Sequence, residues 1–397
     1  MFDKKELINY ILSDDTYYSA FVAYNNYSRE LEGTRFIFFD EVKGTPLPKY
    51  HQLNSQELSI LSINADQKFL ILDKLRVKEM INYGTTNFHF DNAIHFDTQV
   101  VSYLSLLLKN KNISEPKMSQ VYKLLYFVLS RNIDYTCYPY LFENWNKLSS
   151  IKTLEGVHQS LCAFLFFKSL NLNQFKEYIL SKAQVSYSSN TLIQADEFIA
   201  NMKNNYFNDY LWEGIYCLLL KVIIIDWSSN RKVKKKLEEL LDFINFELGV
   251  FLEREFVIAY LFLKKDKSSK SFFKRIQPTA NELIKTIQGM SWDLWHIRRL
   301  AEDMNINTTE NIPFEMHSLA TFDKGLKDVL LAYPVRAIFF DNDGSAHWCY
   351  KNKLEEFIPE IDLTDSHEGD RKKAFALTNR NMLITKLEKE ILELAST

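Results

Sequence analysis

The feature that most restricts the fold is a nearly continuous helical periodicity over residues 98–287, where apolar side chains recur every three or four positions. Apolar runs of strand length lie on both sides of this block. "RFIFFDEV" and "KFLILDKL" come before it, and "MHSLATF" and a run ending in "FFDNDG" come after it. We therefore predict an α/β sheet domain interrupted by a large all-α insertion, in a chain that is helix-rich overall.

The composition agrees with many helices joined by short connections. The 397 residues include 30 Phe and 21 Tyr but only 10 Gly and 8 Pro, so residues that form turns are scarce. No repeat of constant period is visible, which disfavours a solenoid. We divide the chain into five segments: an N-terminal α+β region (1–90), the first part of the sheet domain (91–150), the helical insertion (151–287), the second part of the sheet domain (288–350) and a helical tail (351–397).

Charge is nearly balanced overall but locally uneven. The net charge of −3 provides no general attraction to nucleic acid. Basic residues cluster in "RKVKKK" (231–236), in "KKDKSSKSFFKR" (264–275) and at Arg298-Arg299. Such clusters are either solvated helix faces or a groove that binds phosphate, and the sequence leaves both interpretations open.

Several classes of protein are disfavoured by the motifs that are missing. The four cysteines are widely separated, with no zinc spacing and no disulfide framework, which indicates a reducing compartment. The first residues lack the features of a signal peptide, and the apolar stretches 211–225 and 251–263 are too short or too interrupted to span a bilayer. No phosphate-binding glycine loop is present. We expect a soluble, cytoplasmic protein without a membrane partner.

Three aspartates, Asp97, Asp293 and Asp323, stand between an apolar run and a predicted helix. Such junctions place a carboxylate at the carboxyl edge of a sheet, where open α/β folds bind their ligands. Carboxylates held together repel one another unless a divalent cation neutralises them, and Mg²⁺ or Mn²⁺ accept oxygen ligands. The alternative is that each aspartate only caps its helix.

The same segments resemble motifs of the PIN-domain ribonucleases. "IHFDTQVVSYL" is similar to the opening motif, in which a strand ends in Asp and leads into a helix, although Gln99 replaces the usual Asn. "SLATFDKGLKDVL" resembles the late motif, and "WDLWHIRRLAED" resembles the acidic motif before it. Glu143 lies 46 residues beyond Asp97 and is the candidate for the remaining acid, with Glu155, Glu197 and Glu213 as rivals.

The resemblance implies a PIN-like parallel sheet flanked by helices and a metal-dependent endoribonuclease. Asp97, Glu143, Asp293 and Asp323 would hold Mg²⁺ or Mn²⁺, which activates water for phosphodiester hydrolysis. Lys324, Arg298 and Arg299 would contact phosphate. RNA is a more natural substrate than DNA, and a toxin or phage-defence role, an inhibitory protein partner and a homo-oligomer are all compatible with the family.

Other features keep a different class of function open. Trp292 and Trp295 lie three residues apart, and they either stack on bases or belong to the core. Asp341 and Asp343 in "FFDNDG" are typical of a turn. The long aromatic-rich helical block is also compatible with a non-catalytic scaffold for protein interactions, in which the acids only cap helices.

Overall fold

The computed structural model describes a helix-rich α/β protein. The residues that it describes are 3–13, 16–40, 45–46, 60–61, 63, 68–86, 90–108, 115–145, 148, 150–181, 186–204, 209–306, 314–343, 345–363 and 367–396. None of the helices within these ranges is both long enough and apolar enough to cross a membrane.

Helices account for most of the described chain. In chain order they are Lys4–Ser13 (α1), Tyr17–Asn26 (α2), Lys74–Tyr83 (α3), Thr98–Leu108 (α4), Glu115–Ser130 (α5), Tyr138–Asn144 (α6), Ile151–Ser169 (α7), Leu172–Ser181 (α8), Ser189–Asn204 (α9), Tyr210–Ser228 (α10), Val233–Phe243 (α11), Glu253–Leu263 (α12), Lys267–Lys270 (α13), Leu283–Ile306 (α14), Lys324–Ala332 (α15), Leu354–Phe357 (α16), Glu368–Leu377 (α17) and Arg380–Ala395 (α18). A π-helical turn, Ile244–Leu248, continues α11.

The strands form two sheets. They are Arg35–Asp40 (β1), Thr45–Pro46 (β2), Ile60–Leu61 (β3), Lys68–Leu72 (β4), Phe90–Phe96 (β5), Asp134–Thr136 (β6), Phe314–Ala320 (β7), Val335–Phe340 (β8) and Ala346–Tyr350 (β9). Among the described residues, one sheet has the order β2-β4-β1-β8-β9 and the other has the order β3-β7-β5-β6.

The first sheet is antiparallel around its central strand β1. Ile37 pairs with Ile71 of β4 on one side and with Ile338 of β8 on the other. Phe36 and Phe339 on this sheet pack into one apolar cluster with residues of α1 and α2. Thus β8, which follows the predicted late motif in the chain, pairs with the N-terminal region rather than joining β5 and β7.

The second sheet is mixed, and its three strands β6, β5 and β7 are parallel. Strand β5 lies between β6 and β7, with Ile94 opposite Tyr135 and Ser318. Strand β3 pairs antiparallel with β7. Ile94 and Phe96 belong to a large core cluster that includes α4, α5, α7 and α9, so this face of the sheet is covered by helices. A helix-covered parallel sheet agrees with the predicted fold class, while a PIN topology stays a prediction.

The chain divides into two compact units, and each is interrupted in sequence. The first comprises 1–207, 299–322 and 335–349, and therefore contains most of both sheets. The second comprises 208–298, 323–334 and 350–397. Its centre is α10, which is buried along most of its length, as expected for a helix that is apolar on every side. The five predicted segments cut the chain at other positions.

One predicted boundary is wrong. The sequence predicts a helix over 279–288 and a separate helix that Asp293 begins, whereas α14 runs without interruption from Leu283 to Ile306. Gly289 and Ser291 are residue types that favour a helix break. The Ser291 hydroxyl nevertheless donates to the Ile287 carbonyl oxygen at 2.9 Å, as serine can within a helix. Asp293 therefore lies inside a helix and not at a strand end.

Candidate metal centre

The two faces of the parallel sheet differ in polarity. Since side chains alternate along a strand, the register places His95 on the same face as His317 of β7 and Thr136 of β6. Ile94 and Phe96 point to the opposite, apolar face. Parallel sheets normally bury apolar side chains on both faces. Polar side chains on neighbouring parallel strands therefore mark this face as a candidate site.

Two buried imidazoles form the centre of this face. His95 Nε2 and His317 Nδ1 lie 2.8 Å apart, which is hydrogen-bonding distance. Both residues are almost fully buried, with 5% and 3% of their surface exposed. Thr136 Oγ1 lies 3.2 Å from His95 Nδ1, and Glu315 Oε2 lies 3.3 Å from His317 Nε2. Each imidazole therefore has one nitrogen at the centre and one facing an outer partner.

A single set of tautomers satisfies these contacts when both rings are neutral. Thr136 donates to His95 Nδ1, His95 Nε2–H donates to His317 Nδ1, and His317 Nε2–H faces the Glu315 carboxylate. The last contact is electrostatic rather than an aligned hydrogen bond, since His317 Nε2 has no hydrogen-bond partner with suitable geometry. The reverse arrangement would point a lone pair at the Glu315 carboxylate.

Asp303, on α14, completes the group. Its Oδ2 lies 3.9 Å from His95 Nε2, and its Oδ1 accepts a hydrogen bond from Arg299 Nε at 3.0 Å. Burial raises the pKa of the Asp303 carboxyl, and this effect outweighs the lowering by the Arg299 guanidinium and by His317. A cation placed beside Asp303 would favour its ionised form, as a metal ligand requires.

The three side chains are suited to binding a metal ion. Among the described residues, His95, Asp303 and His317 are the group of potential ligands in which one ligand atom from each lies within 4.8 Å of the others. Two imidazoles and a carboxylate are a common ligand set for divalent transition metals. An ion bound to His95 Nε2 and His317 Nδ1 would replace their mutual hydrogen bond. His95 Nδ1–H could then donate to Thr136, while His317 Nε2–H keeps facing Glu315, so both rings would retain outer partners.

Asp97 and Asp323 both cap helices. Asp97 follows β5, is 4% exposed, and accepts a hydrogen bond from Val100 N at 2.7 Å. Asp323 accepts from Gly325 N and Leu326 N at the start of α15. Capping accounts for these contacts without a metal. Asp97 belongs to the first unit and Asp323 to the second.

The other two predicted acids lie on helices. Glu143 is half-buried on α6 in the first unit, and Asp293 is half-buried within α14 in the second. The four predicted ligands are therefore divided equally between the two units, and none of them belongs to the His95–Asp303–His317 group. Their joint role as a metal site stays a prediction, as does the choice of Glu143 over its rivals.

The basic residues predicted to contact phosphate have different surroundings. Arg298 makes a two-point ion pair with the fully buried Glu255, with Nε 2.8 Å from Oε1, so its guanidinium is held within the second unit. Arg299 binds Asp303 and Glu302. Lys324 is exposed. Of these three residues, Lys324 is the exposed one, and it has no carboxylate contact within the part of the chain that the structure describes.

The predicted aromatic and basic residues have structural contacts within the protein. Trp292 and Trp295 are 7% and 2% exposed, which places them in the core. In the basic cluster 231–236, Arg231 pairs with Glu239 and Lys236 pairs with Asp226. Asp341 and Asp343 lie in the turn between β8 and β9, as predicted.

Comparisons with known proteins identify no relative. No family model, no characterised protein and no solved structure matches this chain significantly.

Sequence reasoning missed His95, Asp303 and His317 as a group. The two histidines are 222 positions apart, so no local spacing relates them. A signal was present in each strand, because "DNAIHF" and "FEMHSLA" both carry an acidic residue and a histidine at even separations. At even separations side chains share one face of a strand, which predicts a polar face.

Proposed function

We propose that this protein is a metal-dependent nuclease that binds a divalent ion between His95, Asp303 and His317. The observation that carries the proposal is the convergence of two imidazoles from adjacent parallel strands with a carboxylate from α14, on a face of a parallel sheet, where apolar side chains are the rule. Burying such polar groups costs free energy unless they are paired or bind a ligand.

The outer partners of the two imidazoles are compatible with metal binding. Histidines that bind metal usually donate their second ring N–H to an oxygen acceptor, which fixes the ring and the tautomer. Thr136 and Glu315 occupy these positions for His95 and His317, respectively. A metal-free pair of neutral imidazoles uses the same outer partners differently, because it needs a donor at His95 Nδ1 and an acceptor near His317 Nε2–H, whereas the metal-bound pair needs an oxygen acceptor at both outer nitrogens.

The ligand set favours Mn²⁺ or Zn²⁺ over Mg²⁺. Imidazole nitrogen suits transition ions, whereas Mg²⁺ prefers oxygen ligands and retains its water. Such an ion supplies hydrolytic chemistry by activating water and stabilising negative charge on phosphate oxygens. The chain's own residues position the ion, and Arg299 holds the Asp303 carboxylate in place.

Two features support phosphodiesters as the substrate. The β6-β5-β7 strands are parallel, and the resemblance to PIN-domain ribonucleases rests on the segments that include β5 and β7. Asp97 lies two residues beyond His95, so the carboxyl edge of β5 carries both an acid and a potential metal ligand. RNA as the substrate, a toxin or defence role, an inhibitory partner and a homo-oligomer belong to the proposal through the resemblance alone.

The proposal predicts metal-dependent cleavage that depends on Asp303. The wild type is expected to cut single-stranded RNA with Mn²⁺ or Zn²⁺ and to lose activity when EDTA is present. Asp303→Asn keeps the shape of the side chain but removes a charged ligand. Its cleavage rate should fall by more than about 100-fold, beyond the usual loss for an outer partner. The measurement is a gel assay with labelled RNA and, separately, labelled single-stranded DNA.

Glu302→Gln is the matched control, because Glu302 accepts a hydrogen bond from the same Arg299 at 2.8 Å but is not a member of the group. It should retain activity. Equal activity of Asp303→Asn and Glu302→Gln would contradict the proposed site. If the wild type cuts neither nucleic acid with either ion, the nuclease proposal is wrong and the scaffold for protein interactions becomes the better interpretation.

A further inference from the structure

A second feature of the first unit is an open pocket of about 580 Å³ at the carboxyl end of β6. Its wall includes Thr136, the residue whose hydroxyl lies 3.2 Å from His95 Nδ1. The pocket therefore reaches the outer partner of one histidine of the candidate metal centre. Its volume is within the range of pockets that bind small molecules.

One wall of this pocket is a polar stripe on α9. Asn190, Gln194, Glu197 and Asn201 line it, at spacings of four, three and four residues, which places them on one side of the helix. Three of the four carry carboxamides, and all four residues are exposed. A carboxamide presents a donor and an acceptor side by side, which is the pattern that the edge of a nucleobase requires.

The apolar part of the pocket lining consists of aromatic rings. Tyr138, Phe164 and Phe198 line the same pocket. Phe164 is 2% exposed and belongs to the core, whereas Tyr138 is 49% exposed at the start of α6. An exposed ring beside amide groups can stack on a planar base, and such stacking does not depend on base identity.

The charges in the pocket favour a neutral ligand group. Lys168 lines the pocket, but its ammonium is 3.0 Å from Asp134 Oδ1 and donates to the Tyr135 carbonyl oxygen at 2.7 Å. Glu197 adds a negative charge. Among the described lining residues, a phosphate group would therefore meet no cation free of a carboxylate, whereas an uncharged base would meet amides and rings.

We infer that this pocket binds a nucleobase of a single-stranded nucleic acid, next to the metal centre. The inference rests on the proposed nuclease function and adds the recognition of an unpaired base to it. A base held beside Thr136 would place the adjoining backbone close to the carboxyl edge of the parallel strands, where Asp97 and His95 lie.

Binding of nucleic acid without metal tests this inference separately from cleavage. The probe is a short labelled single-stranded RNA, titrated with full-length protein in EDTA and followed by fluorescence anisotropy. The variants are Tyr138→Ala and Gln194→Ala, each expected to weaken binding about tenfold, the range found when a stacking or paired base loses its partner. Circular dichroism checks that each variant is folded.

Two controls match these variants. Tyr83→Ala removes another exposed tyrosine of the first unit, and Gln277→Ala removes an exposed glutamine outside the pocket. Both should bind RNA as the wild type does. Calorimetric titration with the four nucleoside monophosphates shows whether a free nucleotide is enough for binding or a strand is needed. Binding of RNA or of a nucleotide supports the inference if Tyr138→Ala weakens it.

Wild-type affinity in both pocket variants would overturn the inference, and so would an absence of binding to RNA and to all four nucleotides. Neither result affects metal binding at His95, Asp303 and His317. Conversely, if the protein binds RNA through Tyr138 but does not cleave it, the inference about the pocket stands and the proposed nuclease activity is wrong.

Discussion

At the scale of single residues, two acids on α12 show how their partners decide the protonation of a buried group. Burial raises the pKa of Glu253, whose carboxyl group accepts a hydrogen bond from the Tyr333 hydroxyl at 2.7 Å. Burial would also raise the pKa of Glu255, but the Arg298 guanidinium lowers it below its usual value. The more deeply buried acid therefore has the lower pKa of the two, because it has a cation as its partner.

This contrast predicts a pH-dependent effect of Glu253→Gln on stability. Because the folded state raises the pKa of Glu253, it binds more protons than the unfolded state, and wild-type stability falls as pH rises through that interval. The penalty is absent below the ordinary value of 4.5 and complete above the raised value. Glutamine keeps an acceptor for Tyr333 without the charge. The free energy of unfolding of Glu253→Gln relative to wild type should therefore increase with pH.

The measurement is the urea midpoint, followed by tryptophan fluorescence at several values from about pH 4.5 to about pH 8. Glu282→Gln controls for the loss of one negative charge at an exposed site in the same unit. A gain from Glu253→Gln that is independent of pH, or that grows as pH falls, would contradict the assigned direction of the pKa shift.

At the scale of elements, α14 shows where local signals mislead. "IQGMSWDL" contains a glycine and a serine close together, which favours a break, yet the helix continues through both. Buried Met290, Trp292, Leu294 and Trp295 hold this part of the helix in the core of the second unit. The burial of these side chains outweighs the cost of about 1 kcal/mol for a glycine inside a helix. The sequence around Gly289 does not reveal this burial.

Two helical glycines should respond in opposite ways to alanine. A Cβ at Gly325 of α15 would lie 2.5 Å from the backbone nitrogen of Phe272, so Gly325→Ala forces two backbone segments apart and should destabilise the protein. A Cβ at Gly289 of α14 meets nothing within 4 Å. Gly289→Ala should therefore stabilise by about 0.5–1 kcal/mol, since alanine favours the helix.

Thermal unfolding of the two variants, compared with wild type under one condition, checks this pair. Each serves as the control for the other, since both replace glycine by alanine within a helix of the second unit. Equal shifts of the unfolding temperature in the same direction would show that helix propensity alone decides the effect of both substitutions. That result would contradict a steric role for the close approach of α15 to Phe272.

At the scale of the whole molecule, the helical block was predictable and the pairing of strands was not. Helix periodicity is a local property, so α4 to α12 follow from the sequence with small errors at their ends. The partners of a strand depend on contacts far along the chain. Nothing near Ile338 indicates that it pairs with Ile37, and nothing near His95 indicates His317.

The region of the candidate site was partly predictable from the sequence, whereas its residues were not. The sequence indicated metal ligands at the carboxyl edge of a parallel sheet, and β5 and β7 are parallel neighbours. It selected acids, since an aspartate between strand and helix is conspicuous in a sequence. The structure brings together His95 and His317, which lie within their strands, and Asp303, which lies near the end of a helix whose start was misplaced.

The most direct test of the central claim is isothermal titration of untagged protein with Mn²⁺ and with Zn²⁺. We predict that the wild type binds one ion per chain, that Glu302→Gln binds it equally well, and that Asp303→Asn and His317→Gln lose more than the roughly 10–100-fold of affinity expected for an outer partner. Binding of neither ion by the wild type, or undiminished binding by both Asp303→Asn and His317→Gln, would contradict a metal centre at His95, Asp303 and His317.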